Sequence, residues 1–91
     1  MNLPEVFKAL SEPLRLDILQ KLNNSSLTVG QIVENYNLPN STISYHLSVL
    51  KKANLITQIK NKNFINYKIN PDTFEYTVNL MSQFFVSKNK K

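Results

Sequence analysis

The chain has 91 residues, no cysteine, a single histidine and a formal net charge of +5 at pH 7. A chain of this length makes one small domain, which buries only about 60–65% of its unfolded surface and gains stability from a partner. Without cysteine it forms neither a disulfide nor a thiolate metal site, no apolar run approaches the ~20 residues of a membrane span, and no secretory leader pattern opens it. The charge is not spread evenly. Between Asn35 and Pro71 stand five lysines (Lys51, Lys52, Lys60, Lys62, Lys68) and no acid, while outside that window six basic residues meet six acidic ones. The whole excess of positive charge therefore sits in one sector, which predicts a polyanionic partner and salt-sensitive binding. Asparagine fills thirteen positions, read as the codon bias of an A·T-rich genome rather than as function.

Asn2, Pro4 and Glu5 predict a helix start, with Val6, Phe7 and Leu10 on its apolar side. Ser11, Glu12 and Pro13 repeat the signal, and Leu14, Ile18, Leu19 and Leu22 give the second helix a core face. Residues Asn23 to Ser26 read as a polar loop. Thr28 with Gln31 three residues on matches a capping box for a third helix over Val29 to Tyr36, with Ile32 and Val33 inward. Asn37 fits a left-handed terminator, and Pro39 keeps the helix from continuing.

A fourth helix is predicted from Asn40 to about Ala53. At about 100° per residue, Ile43, Leu47 and Leu50 cluster on one side, and Ser41, Tyr45, Ser48 and Lys52 on the other, with Ser44 beside them. Solvent-facing helices usually carry long charged side chains. Here hydroxyls, an amide and a phenol stand instead, groups able to approach phosphates closely and to reach base edges in a major groove. Two short helices joined so tightly form a helix-turn-helix, over about 29–53, whose second member lies in the groove. The DNA-contact candidates are Asn40, Ser41, Thr42, Ser44, Tyr45, Ser48 and Lys52. For Ser41 and Thr42 backbone capping is the competing role, and Asn40 serves either as a cap or as an adenine reader. His46 lies at the edge of the apolar face, where packing with one ring nitrogen bonded locally is weighed against direct DNA contact.

Leu55 to Lys60 and Phe64 to Ile69 read as a hairpin, a wing over about 55–69. Ile65, Tyr67 and Ile69 alternate with Phe64, Asn66 and Lys68, and asparagines at the tip tolerate positive φ. Lys60 and Lys62 at the tip are candidate phosphate contacts. Asn70, Pro71 and Asp72 open a last helix running to about Val86, followed by a frayed tail from Ser87 to Lys91. Its apolar residues form two lines, Phe74, Val78, Met81 and Phe85, and beside it Leu80 and Phe84 with Tyr76 and Thr77. That surface is wider than one small domain covers, so one line is expected on the domain and the other on a partner subunit.

In this order and spacing the elements resemble the ArsR/SmtB family of small winged-helix transcriptional repressors. The segments that carry the resemblance are Phe7-Lys8-Ala9-Leu10-Ser11-Glu12-Pro13-Leu14-Arg15, Leu38-Pro39-Asn40-Ser41-Thr42-Ile43-Ser44-Tyr45-His46-Leu47-Ser48-Val49-Leu50, and Ala53-Asn54-Leu55-Ile56 with Tyr67-Lys68-Ile69. The resemblance implies a mainly helical, single winged helix-turn-helix domain over residues 1–91, with helix order α-α-α-α-β-β-α. It implies a homodimer joined through the first and last helices, which places Val6, Phe7, Leu10, Phe74, Val78, Met81 and Phe85 at the interface. It also implies an inverted-repeat operator. Two departures matter. The wing tip reads Lys60-Asn61-Lys62-Asn63 where the family often has an Arg-Glu-Gly-Arg type sequence, so phosphate contact replaces guanidinium insertion. The family's metal ligands are missing as well: there is no cysteine, and the last helix offers Asp72 and Glu75 but no imidazole. No metal sensing and no cofactor are expected.

The leading expectation is thus a cytoplasmic, nucleoid-associated repressor that binds double-stranded DNA as a homodimer without inserting into membranes. The alternative is a winged-helix module whose basic face binds an acidic protein. An enzyme is the third reading and is not expected, since the chain has no thiol nucleophile, no second histidine and no phosphate-binding glycine loop, and its few carboxylates lie outside the basic sector. A small organic inducer, a sequestering protein and a change in the repressor's own level all stay open as the releasing signal.

Overall fold

The structure, a computed structural model, describes the backbone of residues 2–89 and the side chains of residues 2–84. Helix α1, Leu3–Leu10, starts where Asn2 Oδ1 accepts from the Glu5 amide at 3.0 Å, and it buries Val6 and Ala9. Helix α2, Pro13–Leu22, buries Ile18, Leu19 and Leu22 as its apolar spacing requires, and Arg15 along with them. Strand β1, Leu27–Thr28, follows, then α3, Val29–Val33, α4, Asn40–Lys52, β2, Ile56–Asn61, β3, Phe64–Ile69, and α5, Pro71–Asn89. The strands form one antiparallel sheet in the order β1-β3-β2.

Strand β1 was not expected. Two residues are too few to show alternation, and their pairing, Leu27 with Tyr67 and Thr28 with Asn66, is fixed by the distant β3. Thr28 does double duty. It ends the strand and caps α3, its hydroxyl accepting from the Gln31 amide at 3.2 Å while Gln31 Oε1 accepts from the Thr28 amide at 2.9 Å. The capping box is present as read.

Helix α3 ends at Val33, short of the expected Tyr36. The chain tightens there into turns, with the Asn35 amide donating to the Ile32 carbonyl and Tyr36 to that of Val33, both at 3.0 Å. The cause is tertiary: the Tyr36 hydroxyl donates to Asp17 on α2, drawing the turn onto that helix. Nor is Asn37 left-handed. Positive φ occurs, among the described non-glycine residues, at Asn54 (62°) and Lys62 (58°).

Asn54 closes α4. Its amide donates to Lys51 O at 2.9 Å, and that of Leu55 reaches back to Leu50 O at 3.0 Å. This is the paired bonding of a Schellman end, with the two fully buried leucines as its apolar contact. The freed Asn54 carbonyl accepts from Asn70 Nδ2 at 3.0 Å and from the Thr73 hydroxyl. The end of α4 is thereby bonded to the start of α5. At the wing tip the two-residue turn is Lys62-Asn63, and the positive φ falls on Lys62 rather than on an asparagine.

The core is formed by Val6, Ala9, Ile18, Leu19, Leu22, Ile32, Ile43, Leu47, Leu50, Ala53, Leu55 and Ile56. Among the described residues, helix α5 supplies none of these. Its buried side is Thr73 and Thr77, the latter's hydroxyl bonded to Thr73 O at 2.8 Å, with Phe74 partly buried. The expectation that one apolar line of α5 packs on its own domain holds in part: Phe74 and Leu80 are half-buried and Thr77 is buried, whereas Tyr76, Val78, Met81 and Phe84 are exposed. The helix also runs on through Asn89, where a frayed tail from Ser87 was expected. Principal extents of 54 × 26 × 22 Å show how far the molecule departs from a sphere.

Candidate nucleic-acid interface

Three buried aliphatic residues, Ile43, Leu47 and Leu50, fix the rotation of α4 about its axis. That anchoring leaves Asn40, Ser41, Ser44, Tyr45, Ser48 and Lys52 exposed, and Thr42 half-buried. The N-cap position falls on Pro39, which has no side-chain acceptor to offer. Asn40, Ser41 and Thr42 consequently lie inside the helix, and the capping role weighed for them is not filled. Among the described residues no protein partner bonds the side chains of Asn40, Ser41, Thr42 or Ser44; Ser48 donates to the Tyr45 carbonyl at 2.7 Å. Tyr45 is 61% exposed, its ring meeting that of His46 edge-on with centroids 5.2 Å apart. A helix face of unengaged amide and hydroxyl groups is chemically suited to donate to phosphate oxygens and to pair with base edges.

His46 takes the packing role. It is half-buried, and its Nδ1 lies 3.0 Å from Arg15 Nη1 on α2. Burial first, and then the Arg15 charge, hold its pKa below the ordinary 6.5, against a pull upward from Glu12. Arg15 was seen in the sequence only as the end of a family segment; a charged residue in the i, i+3 register of Ile18 and Leu22 was the available sign of its burial.

On the flank of α4 towards the wing, Lys51 Nζ donates to Gln58 Oε1 at 2.7 Å, and Gln58 Nε2 to the Tyr67 hydroxyl at 3.0 Å. Helix α4 and the wing are thus bonded through side chains that sequence reasoning had not connected. Lys60 and Lys62 stand exposed at the wing tip, beside exposed Ile59, Phe64 and Ile65. Lys52 is not free of acid. Glu5 of α1 lies 3.8 Å from its ammonium, so the sector that is acid-free in sequence gains a carboxylate on folding.

The residues assigned to a subunit interface divide. Phe7, Val78 and Met81 are exposed by 43%, 62% and 46%; Leu10 and Phe74 are half-buried. Leu10 and Phe74 line a groove of about 640 Å³ with Leu16, Leu19 and Ile69. Val6 is corrected: it is wholly buried in its own core and has no surface to offer a partner. The side chain of Phe85 lies outside the described residues. Among the described residues no group of three or more His, Cys, Asp or Glu comes together to hold a metal ion, and no helix is long and apolar enough to cross a membrane.

Tight helix pair, exposed second helix and basic hairpin define a winged helix-turn-helix regulator. The chain belongs to the arsR family of bacterial regulatory proteins, whose family model matches residues 12–58. It is 38% identical over 79 residues to the transcriptional repressor SdpR of Bacillus subtilis (strain 168), covering 87% of this chain and 88% of that protein. It is 30% identical over 96 residues to the arsenical resistance operon repressor of Staphylococcus xylosus, covering 99% and 92% of the two. Among solved structures, an ArsR-like transcriptional regulator from Rhodococcus sp. RHA1 superposes with a TM-score of 0.88 at 22% identity, over 97% of this chain and 83% of that one. The homodimeric winged helix-turn-helix domain of Mb0332 from Mycobacterium bovis does so at 0.75 and 23% identity, over 98% and 82%. These two share the fold. The family is one of transcription regulators, and the protein is not an enzyme.

Proposed function

We propose that the protein represses transcription as a homodimer bound to an inverted-repeat operator, in the cytoplasm and on the nucleoid, without a metal ion. The single observation that supports this most is the outer face of α4, whose short polar side chains are exposed and spared from capping. In this reading two such helices, related by a twofold axis, enter successive major grooves roughly 34 Å apart. Ser44 and Tyr45 read bases; Asn40, Ser41, Thr42, Ser48 and Lys52 contact bases or phosphates; Lys60 and Lys62 grip flanking phosphates, and the bound dimer blocks polymerase. Phe7, Leu10, Phe74, Val78, Met81 and Phe85 form the subunit contact. The relatives named as repressors and the homodimeric neighbour support the same reading.

Genomic fragments selected for binding would supply the operator, which is then titrated against a scrambled duplex at several salt concentrations. Lys60→Ala is expected to lower the salt slope by about 1 per subunit on both duplexes and to leave their ratio unchanged. Tyr45→Ala is expected to lower that ratio by roughly tenfold, the value of one lost base contact of about 1–3 kcal/mol. Equal losses on the two duplexes for Tyr45→Ala would remove its base-reading role.

A further inference from the structure

Arg15 is a charged residue in an apolar place. It is 7% exposed, and among the described residues no carboxylate pairs with it. Its Nε donates to the Ala9 carbonyl at 2.7 Å and its Nη2 to the Lys8 carbonyl at 3.3 Å, both at the end of α1. The remaining arm, Nη1, points at His46 Nδ1 on α4, 3.0 Å away. A guanidinium has donors only and stays charged throughout the working pH range. Nδ1 must therefore accept, which leaves the imidazole neutral with its hydrogen on Nε2. That ring in turn meets the Tyr45 ring at an interplanar angle of 67°, the edge-to-face geometry in which one aromatic ring orients another.

We propose that Arg15 is a positioning residue for DNA reading: acting through the accepting nitrogen of His46, it ties α4 to the end of α1 and sets the direction of the Tyr45 phenol. The proposal rests on α4 being the DNA-reading helix. Burying a cation without an anion is costly, and a tie between helices needs no charge. What the guanidinium adds is control of the ring's protonation, because an amide or hydroxyl in its place could donate or accept and would tolerate either tautomer, and because its charge disfavours the imidazolium. The charged groups that act on His46 are Arg15 of α2 and Glu12 at that helix's N-cap, while Lys8 and Glu5 of α1 line the cleft beside Tyr45 together with Arg15 and Lys52 of α4.

The consequence for pH has a definite sign. The folded pKa of His46 lies below its ordinary 6.5, so above pH 6.5 the ring is neutral in folded and unfolded chains and the arrangement is complete. As pH falls below 6.5 through the folded value, Nδ1 takes a proton and two donors face each other across the Arg15 contact. The orientation of Tyr45 is then lost, and preference for the operator with it.

The test has two arms on the full chain. Nitrogen-15 NMR of the imidazole at about pH 7.5 is expected to show the Nε2–H tautomer. The ratio of operator to scrambled-duplex affinity is expected to be constant from about pH 7.5 to 6.5 and to fall as pH drops through the lower folded value of His46, by up to about tenfold for each pH unit below that value. In His46→Asn, whose Oδ1 stands where Nδ1 stood and accepts from Arg15 without titrating, that ratio is expected to be flat with pH. An Nδ1–H tautomer, or the same pH dependence in His46→Asn, overturns the proposal. Failure to bind the operator at any pH overturns the DNA reading and the proposal's purpose together, and is told apart because the tautomer is observed without DNA.

Discussion

Helices α4 and α5 are both amphipathic in sequence, and they meet opposite fates in the fold. Helix α4 places Ile43, Leu47 and Leu50 wholly inside the core and turns short polar groups outward. Helix α5 turns two threonines inward and leaves Tyr76, Val78, Met81 and Phe84 exposed. The first helix is completed by its own domain, the second is not. An apolar surface of this kind stays in water only at the cost of the burial free energy it forgoes, about 25 cal/mol per Å². The difference is one of anchoring: three buried aliphatic residues fix which groups α4 turns outward, whereas the described apolar residues of α5 lie largely in solvent.

The largest effect should come from cutting the anchor of α4. Leu47→Ala removes a side chain that is 1% exposed and is expected to cost about 2–5 kcal/mol, the range for buried leucine truncation. Denaturant unfolding followed by circular dichroism measures it. A loss below 1 kcal/mol would mean that α4 is not seated as described.

The matching change on α5 should behave in the reverse way. Met81→Asp alters a residue that is 46% exposed, so the stability of the isolated protomer should change by no more than about 0.5 kcal/mol. Its effect should appear in association instead. Sedimentation equilibrium is expected to show a dimer weakened by tenfold or more, about 1.4 kcal/mol, since a charge would have to be buried at a subunit contact. A protomer that unfolds, with association intact, would reverse the contrast between the helices.

What could be read in the sequence followed from locality. The capping box of Thr28 and Gln31, the rotation of α4 and the existence of the hairpin depend on residues within a few positions of each other, and each stands in the fold as its pattern required, although the hairpin register differs by one residue because Asn61 pairs with Phe64 instead of lying in the tip. The features that escaped are set by distant partners. Strand β1 exists because β3 pairs with it, and Glu5 reaches Lys52 only through the packing of α1 on α4. The inward side of α5 escaped for a different reason. Its threonines satisfy their own hydroxyls, Thr73 on the Asn54 carbonyl and Thr77 on that of Thr73, so polar residues occupy a place that periodicity reserves for apolar ones. Of the candidate site, the exposed face of α4 was legible, and the support beneath it from Arg15 was not.

The smallest effect concerns the turn that leads into α4, and it sharpens the claim that this helix is held from several sides. The Tyr36 hydroxyl donates to Asp17, whose carboxylate also lies 3.6 Å from Lys21. The bond from Tyr36, more than the Lys21 charge, holds the Asp17 pKa below its ordinary 3.8. Burial, and then the Asp17 carboxylate, raise the Tyr36 phenol above its ordinary 10.0. The two shifts give two windows of opposite sign. The contribution of Asp17 is present above pH 3.8 and is lost as pH falls through its lower folded value. That of Tyr36 is present below pH 10 and is lost as pH rises towards its higher folded value. Tyr36→Phe keeps the ring and removes the hydroxyl, so both limbs of the stability profile should flatten while the centre moves little. Thermal unfolding across the pH range measures this. Because the turn stays packed through the ring, operator affinity should change less than for Tyr45→Ala; an equal or larger loss would show that the hydroxyl, rather than the buried face of α4, sets the angle at which the reading helix is presented.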